Sequence, residues 1–429
     1  MDSQTLNPKN VQSTLGPMII IGVLFFLFGF ITWLNALLIP YLQIACELTE
    51  FQAYFVTTAF YIAYLVMAPV STWVLNKFGF KRGMSIALGI MAFGALLFIP
   101  AAYTRIYGVF LIGLFIIGGG LAILQTASNP YITILGPIET AARRISIMGI
   151  CNKMAGAVAP IILGYFLKLG KADEVSGQLA SLSAAEKEIA LSEVALKVVN
   201  PYIGIVIALL LLALWISKVN LPEVSGDEEE TGDHHAISEG KKSAWGFPHV
   251  VLGFVTLFLY VGVEVLAGDT IINYGKFIGV PLTQASFFTG LTMISMVVGY
   301  IIGIIAIPKV ISQETALKLC ASLGIVFTFG IVFTSGMTSL YFVALLGLAN
   351  SLIWPAIWPL ALKGVGKFTS AASGILVMGI AGGAVIPPLY GLLSHHIGAH
   401  QAYWIALPCY LFILYYAIIG HKAGKKVVA

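Results

Sequence analysis

Twelve apolar runs, each about as long as a membrane-spanning helix needs, recur along the 429 residues. They lie at 17–42, 52–75, 83–103, 106–133, 145–168, 199–217, 247–272, 283–307, 315–335, 339–362, 370–394 and 402–420. A run of ~20 such residues crosses a ~30 Å hydrocarbon layer as a helix. In lipid, only helices and closed barrels satisfy every backbone N–H and C=O. Composition agrees: 59% of residues are hydrophobic and 10% are charged, where a soluble domain carries about 25% charged residues. The first run has no basic segment leading into a small-residue cleavage site, so it reads as a retained helix and not a signal peptide.

Lysine and arginine orient the chain. With the N-terminus inside, the short inner loops hold Lys77, Lys81, Arg82, Arg143, Arg144, Lys309, Lys318, Lys363 and Lys367, and the tail adds Lys422, Lys425 and Lys426. The short outer loops hold little beyond Arg105 and Lys276. The positive-inside rule therefore places both termini in the cytoplasm. The net charge of +4 is this bias and implies no nucleic-acid partner. Cys46, Cys151, Cys320 and Cys409 fall on four separate helices without metal-ligand spacing, so free thiols and no metal site are expected.

Two connections are long. Residues 169–198 lie outside and contain Ser183-Ala-Ala-Glu186, a capping-box pattern that predicts a short surface helix. Residues 218–246 lie inside and hold Asp227-Glu-Glu-Glu230 and His234-His235, which read as a solvated linker in preference to a metal site. This linker separates a first six-helix unit, 1–217, from a second, 247–429.

The two units echo each other. Gln125-Thr-Ala-Ser-Asn129-Pro130 matches Asn350-Ser-Leu-Ile-Trp354-Pro355, 225 residues further on. Met148-Gly-Ile150 with Gly156-Ala-Val-Ala-Pro160 matches Met378-Gly-Ile380 with Gly383-Ala-Val-Ile-Pro387. Both units run in the same direction, so the repeat is parallel, the plan of major facilitator transporters, whose substrates bind between the halves. Asn76-Lys77-Phe78-Gly79-Phe80-Lys81-Arg82 resembles the basic gating motif of that superfamily, with Asn76 at its usual aspartate position. Pro308-Lys309 is a fainter echo. The expected fold is an all-α membrane protein of twelve transmembrane helices in two six-helix bundles, with Lys77, Gly79 and Arg82 as gating residues.

Ionisable residues at membrane depth cost several kcal/mol and usually mark an ion or substrate path. Lys153, Glu264 and Asp269 are three such residues. A sugar pocket further needs amides for hydroxyls and aromatic faces for the ring. Candidates are Asn35, Gln125, Asn129 and Asn152 in the first unit, and Asn350, Trp354 and Trp358 in the second. Blander roles compete: Asn35 as interhelical glue, Asn129 as a cap on carbonyls freed by Pro130, Trp358 as an interfacial anchor. Asp269 near the outer end of its helix has water exposure as its alternative, and Lys153 has snorkelling. Gly118-Gly-Gly120, Gly379 and Gly382-Gly383 suit close helix approach.

Leu124-Gln-Thr-Ala-Ser-Asn-Pro-Tyr-Ile-Thr-Ile-Leu-Gly-Pro137 is similar to the fourth-helix signature of the fucose:proton symporter family. Tyr260-Val-Gly-Val-Glu264 and Asn350-Ser resemble its glucose/galactose branch. Within that branch, Trp33-Leu-Asn35, Ile147-Met-Gly-Ile-Cys-Asn-Lys153, Glu264-Val-Leu-Ala-Gly-Asp-Thr270, Gly347-Leu-Ala-Asn350 and Trp354-Pro-Ala-Ile-Trp-Pro-Leu-Ala361 resemble the N-acetylglucosamine permease subgroup. The departures matter: Ala36 stands at an aspartate position of the fucose pattern, Gln125 at a carboxylate position, and Lys153 at a serine-like one.

The resemblance implies a secondary active importer in a bacterial inner membrane, taking up a neutral monosaccharide, N-acetylglucosamine or glucose, with a proton or sodium. Asn35, Gln125, Asn129, Asn152, Asn350 and Trp354 would bind the sugar, and Glu264, Lys153 and Asp269 would couple the ion. No cofactor is implied, and a monomer is expected. The alternatives are a uniporter and a non-transporting sugar sensor. A drug or sugar exporter is disfavoured because Gly156 and Pro160 are separated where such antiporters pair them. An enzyme is disfavoured because His395, His396 and His400 neighbour no carboxylate cluster.

Overall fold

The structure, a computed structural model, describes residues 15–134, 141–168, 174, 177, 182–219, 243–307, 310–365 and 368–424. The side chains of Asn76, Asn129 and Arg143, together with Pro308, Lys309, Lys367, Lys425, Lys426 and the linker sequence with its acidic run and His234-His235, lie outside the described residues.

Among the described residues, twelve helices are long and apolar enough to span a bilayer. The first six are α1 (Gly16–Ala45), α2 (Glu50–Leu75), α3 (Lys77–Thr104), α4 (Tyr107–Ser128), α5 (Arg144–Leu167) and α6 (Ala184–Lys218). The last six are α7 (Pro248–Asp269), α8 (Leu282–Ala306), α9 (Gln313–Phe333), α10 (Gly336–Leu362), α11 (Ala371–Ile397) and α12 (Gln401–Ile418). α6 is longer than its apolar run because a surface helix, Ala184–Leu196, leads into the spanning helix Val199–Lys218. Ser183 caps that surface helix, its hydroxyl taking the Glu186 amide while the Glu186 carboxylate takes the Ser183 amide at 3.0 Å. The same reciprocal box opens α2, between Thr49 and Gln52.

An even number of spans returns the chain to its starting face, so the start of α1 and the end of α12 share one side of the bundle. That side is the terminal face here, and the other is the far face. The α2–α3 turn lies on the terminal face, where Gly79 takes φ +75° and Lys77 stands 4.8 Å over the Trp73 ring.

Four helices depart from regular α geometry partway along their length. α1 divides into Leu15–Trp33 and Asn35–Ala45; α7 passes through Thr270 into Ile271–Phe277; α10 breaks between Gly336–Asn350 and Ile353–Leu362; and α11 turns as a 3₁₀ segment over Gly379–Ala384. Such irregularities supply bending points. The expected close approaches are present. A Cβ on Gly118 would overlap the Phe60 carbonyl of α2, and one on Gly382 would overlap the Phe258 carbonyl of α7.

The first and last six helices meet unevenly. On the far face, Ser394 of α11 donates to the Glu50 carboxylate at 3.0 Å, Tyr54 packs edge-on to Tyr390 with centroids 5.9 Å apart, and Thr58 donates to the Ala384 carbonyl at 2.8 Å. Trp33 of α1 lies against Gly268 of α7. These contacts form a seal at the far-face end.

Candidate functional site

Below the seal, toward the terminal face, a cavity of about 120 Å³ opens between the two sets of helices. A water needs about 10–15 Å³ measured this way, so the space takes on the order of ten water-sized groups, the scale of one monosaccharide. Its lining is polar at the centre and aromatic around it.

The centre is an ion pair. Lys153, three turns into α5, places Nζ 2.7 Å from Oε1 of Glu264, four turns into α7. The two residues are 111 positions apart in sequence and belong to different six-helix units. Their side chains are only 8% and 11% exposed, so each charge relies on the other. The Lys153 ammonium also lies 4.5 Å over the Trp33 ring, a cation–π contact that strengthens on desolvation. An ammonium has three donors and a carboxylate two acceptor oxygens, so the pair keeps hydrogen-bonding capacity for a ligand while its net charge is zero.

Around this pair, Gln125 of α4 donates from Nε2 to the Tyr64 hydroxyl at 2.8 Å, which orients its amide at the cavity. Asn152 of α5 donates to the Phe25 carbonyl at 3.4 Å, bracing α5 against α1. Trp354 lies between Tyr260, at 6.3 Å, and Trp358, at 5.6 Å, forming an aromatic wall from α7 to α10.

The cavity therefore brings together Gln125, Asn152, Lys153, Glu264 and Trp354. Asn35 and Asn350, expected to bind the sugar, and Asp269, expected to couple the ion, do not line this cavity. Asn350 is wholly buried and accepts the Tyr410 hydroxyl at 2.8 Å, tying α10 to α12. Asn35 is buried above the α1 break with Nδ2 unpartnered among the described residues. Asp269 is wholly buried at the sealed end of α7. The Asn129 side chain lies outside the described residues, and Lys77, Gly79 and Arg82 are exposed at the terminal-face turn. The sequence reading missed Tyr61, Tyr64, Tyr260 and Tyr300, which line the cavity alongside Phe25, Phe28 and Trp33. Their position in the middle of apolar runs was the available signal.

Two parallel six-helix units around a polar mid-depth cavity, sealed at one end, define a membrane solute carrier. The Major Facilitator Superfamily family model matches residues 21–386, and the chain belongs to that superfamily. It is 35% identical over 427 residues to the glucose/galactose transporter of Brucella abortus, covering 99% of this chain and 98% of that protein. It is 32% identical to a putative glucose/galactose transporter of Helicobacter pylori, covering 94% and 96%. Among solved structures it is similar to the E. coli fucose:proton symporter, with a TM-score of 0.73 and 28% identity over 95% of this chain and 98% of that one. A second structure of that transporter, described as being in the outward conformation, gives the same TM-score and covers 99% of that chain. These relatives are transporters and not enzymes.

Proposed function

We propose that the protein imports a neutral monosaccharide across a bacterial inner membrane by cation-coupled alternating access, with glucose and N-acetylglucosamine as the favoured substrates. The carrying observation is the composition of the cavity. A zero-net-charge Lys153–Glu264 pair, two amides and an aromatic wall suit a ligand rich in hydroxyls and free of charge. The names of the relatives, glucose/galactose transporters and a fucose:proton symporter, point to the same ligand class. N-acetylglucosamine stays in this proposal on the motif resemblance alone.

The lysine and arginine bias makes the terminal face cytoplasmic, with both chain ends inside. On that orientation the far-face seal is extracellular, and this conformation is the inward-facing one. The two units, 1–217 and 247–429, rock against each other around the cavity, with the 218–246 linker joining them and the Lys77–Gly79–Arg82 turn gating the inner side.

A uniporter is the second reading, favoured by Ala36 and Gln125 where the fucose pattern has carboxylates. Uptake of labelled glucose and labelled N-acetylglucosamine into liposomes separates the readings. Accumulation above equilibrium under an inward proton or sodium gradient supports symport and names the ion. Equilibration without accumulation under either gradient refutes coupling, and absence of uptake of both sugars refutes the substrate class.

A further inference from the structure

Asp269 ends α7 on the sealed side of the cavity. It is 0% exposed, and neither carboxylate oxygen has a hydrogen-bond partner among the described residues. At helical rise it stands about 7–8 Å nearer the far face than Glu264. It is not part of the cavity lining.

Asp269 follows directly on a contact of the seal. Its neighbour Gly268 lies beneath the Trp33 ring of α1, and the Gly268 carbonyl accepts Thr289 Oγ1 of α8 at 3.0 Å. The titratable groups that face it are Lys153 and Glu264 from the cavity side, and Tyr54 and Tyr61 from α2. Lys153 is already held by Glu264 at 2.7 Å, and Tyr54 is itself a seal residue.

An ionised carboxylate shut away dry and unpaired is heavily penalised, whereas the neutral acid is an ordinary polar group. The seal can therefore close over Asp269 at low cost only when a proton has neutralised it. We propose that Asp269 is the proton-carrying site of the transport cycle and the condition for closing the seal. With the seal open, the carboxylate takes one proton from water on the far face. The seal shuts over the neutral acid, and when water reaches it from the cavity side the same proton leaves there. Each cycle thus moves one proton and forms no other species. A sodium ion fits less well: it seeks a shell of oxygen ligands, and the Gly268 carbonyl is already engaged by Thr289. The Lys153 ammonium on the cavity side adds repulsion.

This inference rests on the coupled-transport reading and names its ion and residue. The test compares full-length wild type and Asp269→Asn in liposomes with labelled glucose, under an inward proton gradient without sodium and, separately, under an inward sodium gradient without a proton gradient. The amide stands in for the neutral acid, so the seal closes regardless of pH. In the variant, the wild type's accumulation falls to a ratio of about 1, while exchange of labelled for unlabelled glucose at equal concentrations continues and loses its pH dependence. Accumulation by the variant that matches wild type overturns the inference and leaves coupled transport standing. Loss of sodium-driven in place of proton-driven accumulation overturns the choice of ion. A wild type that exchanges glucose but accumulates it under no gradient refutes the coupled-transport reading itself. A second measurement needs no variant: dicyclohexylcarbodiimide, which attacks protonated buried carboxyls, should label Asp269 in wild-type protein, with labelling falling as pH rises. Label confined to other carboxyls in the peptide map overturns the proposal.

Discussion

Removing both partners of the Lys153–Glu264 pair should cost far less than the sum of removing each alone. The pair is nearly sealed from solvent, with side-chain exposures of 8% and 11%. Breaking such a pair by deleting one member costs about 3–5 kcal/mol, because the surviving charge is left buried alone. Lys153→Met does this to Glu264 in full. Glu264→Gln does it to Lys153, but the ammonium keeps the Trp33 face at 4.5 Å, a contact worth about 2 kcal/mol when desolvated, so the loss falls to about 1–3 kcal/mol. The double variant buries no charge and leaves one amide to satisfy, a cost of about 1–2 kcal/mol. The singles therefore sum to about 4–8 kcal/mol, and the cycle returns a coupling of several kcal/mol. Equilibrium unfolding by SDS titration in mixed micelles, followed by tryptophan fluorescence, measures each corner. Additive losses, with the double variant as weak as the summed singles, would show that the two charges are satisfied separately and would refute the paired geometry. The rescued double variant should still bind sugar more weakly than wild type, since the charged pair that would recognise hydroxyls is gone.

Trp354→Ala should weaken sugar binding about tenfold, the worth of one aromatic face, and Trp354→Phe should recover most of that in titration calorimetry. Gly268→Ala places a Cβ in the Trp33 ring and should hold the far face open; an Ala53→Cys reporter on α2 would then react faster with an impermeant maleimide, and an unchanged rate would contradict the seal. Tyr410→Phe orphans the buried Asn350 carbonyl, so stability should fall by about 1–3 kcal/mol while sugar affinity stays the same. A parallel loss of affinity would return Asn350 to the binding site.

The spans were legible because a bilayer-length apolar run is a local property that needs no tertiary context. The first was expected at 17–42 and forms Gly16–Ala45; the sixth, expected at 199–217, grew because the Ser183 cap starts a helix that feeds directly into it. The irregular turn at Leu34 was not legible, since no proline stands there. The charged residues were legible as costs. Their pairing was not, since Lys153 and Glu264 meet only when two six-helix units dock. Facing was the hardest to read. In a membrane bundle both lipid and core are apolar, so no periodicity distinguishes Asn152, which reaches the cavity, from Asn350, which is spent on Tyr410. The tyrosines stayed hidden because they are cheap in a helix interior and carry no charge to flag them.

The position of the ion pair bears on how the two units can move. Glu50–Ser394, Tyr54–Tyr390 and Thr58–Ala384 all join α2 to α11 toward the far face, and opening that face must break them. Lys153–Glu264 joins α5 to α7 near mid-depth. In a rocking motion, displacement grows with distance from the pivot, so a contact at mid-depth separates least. The bond most expensive to break is therefore placed where the motion asks least of it. The contacts that must open are hydroxyl bonds and an aromatic edge, each worth about 0.5–1.5 kcal/mol. Such a division lets the two conformations differ by only a few kcal/mol, the range in which a ligand's differential affinity can shift the population. A sugar bridging both units at the cavity and a proton neutralising Asp269 at the seal would each bias that small difference, and coupling follows if closure is rare without both.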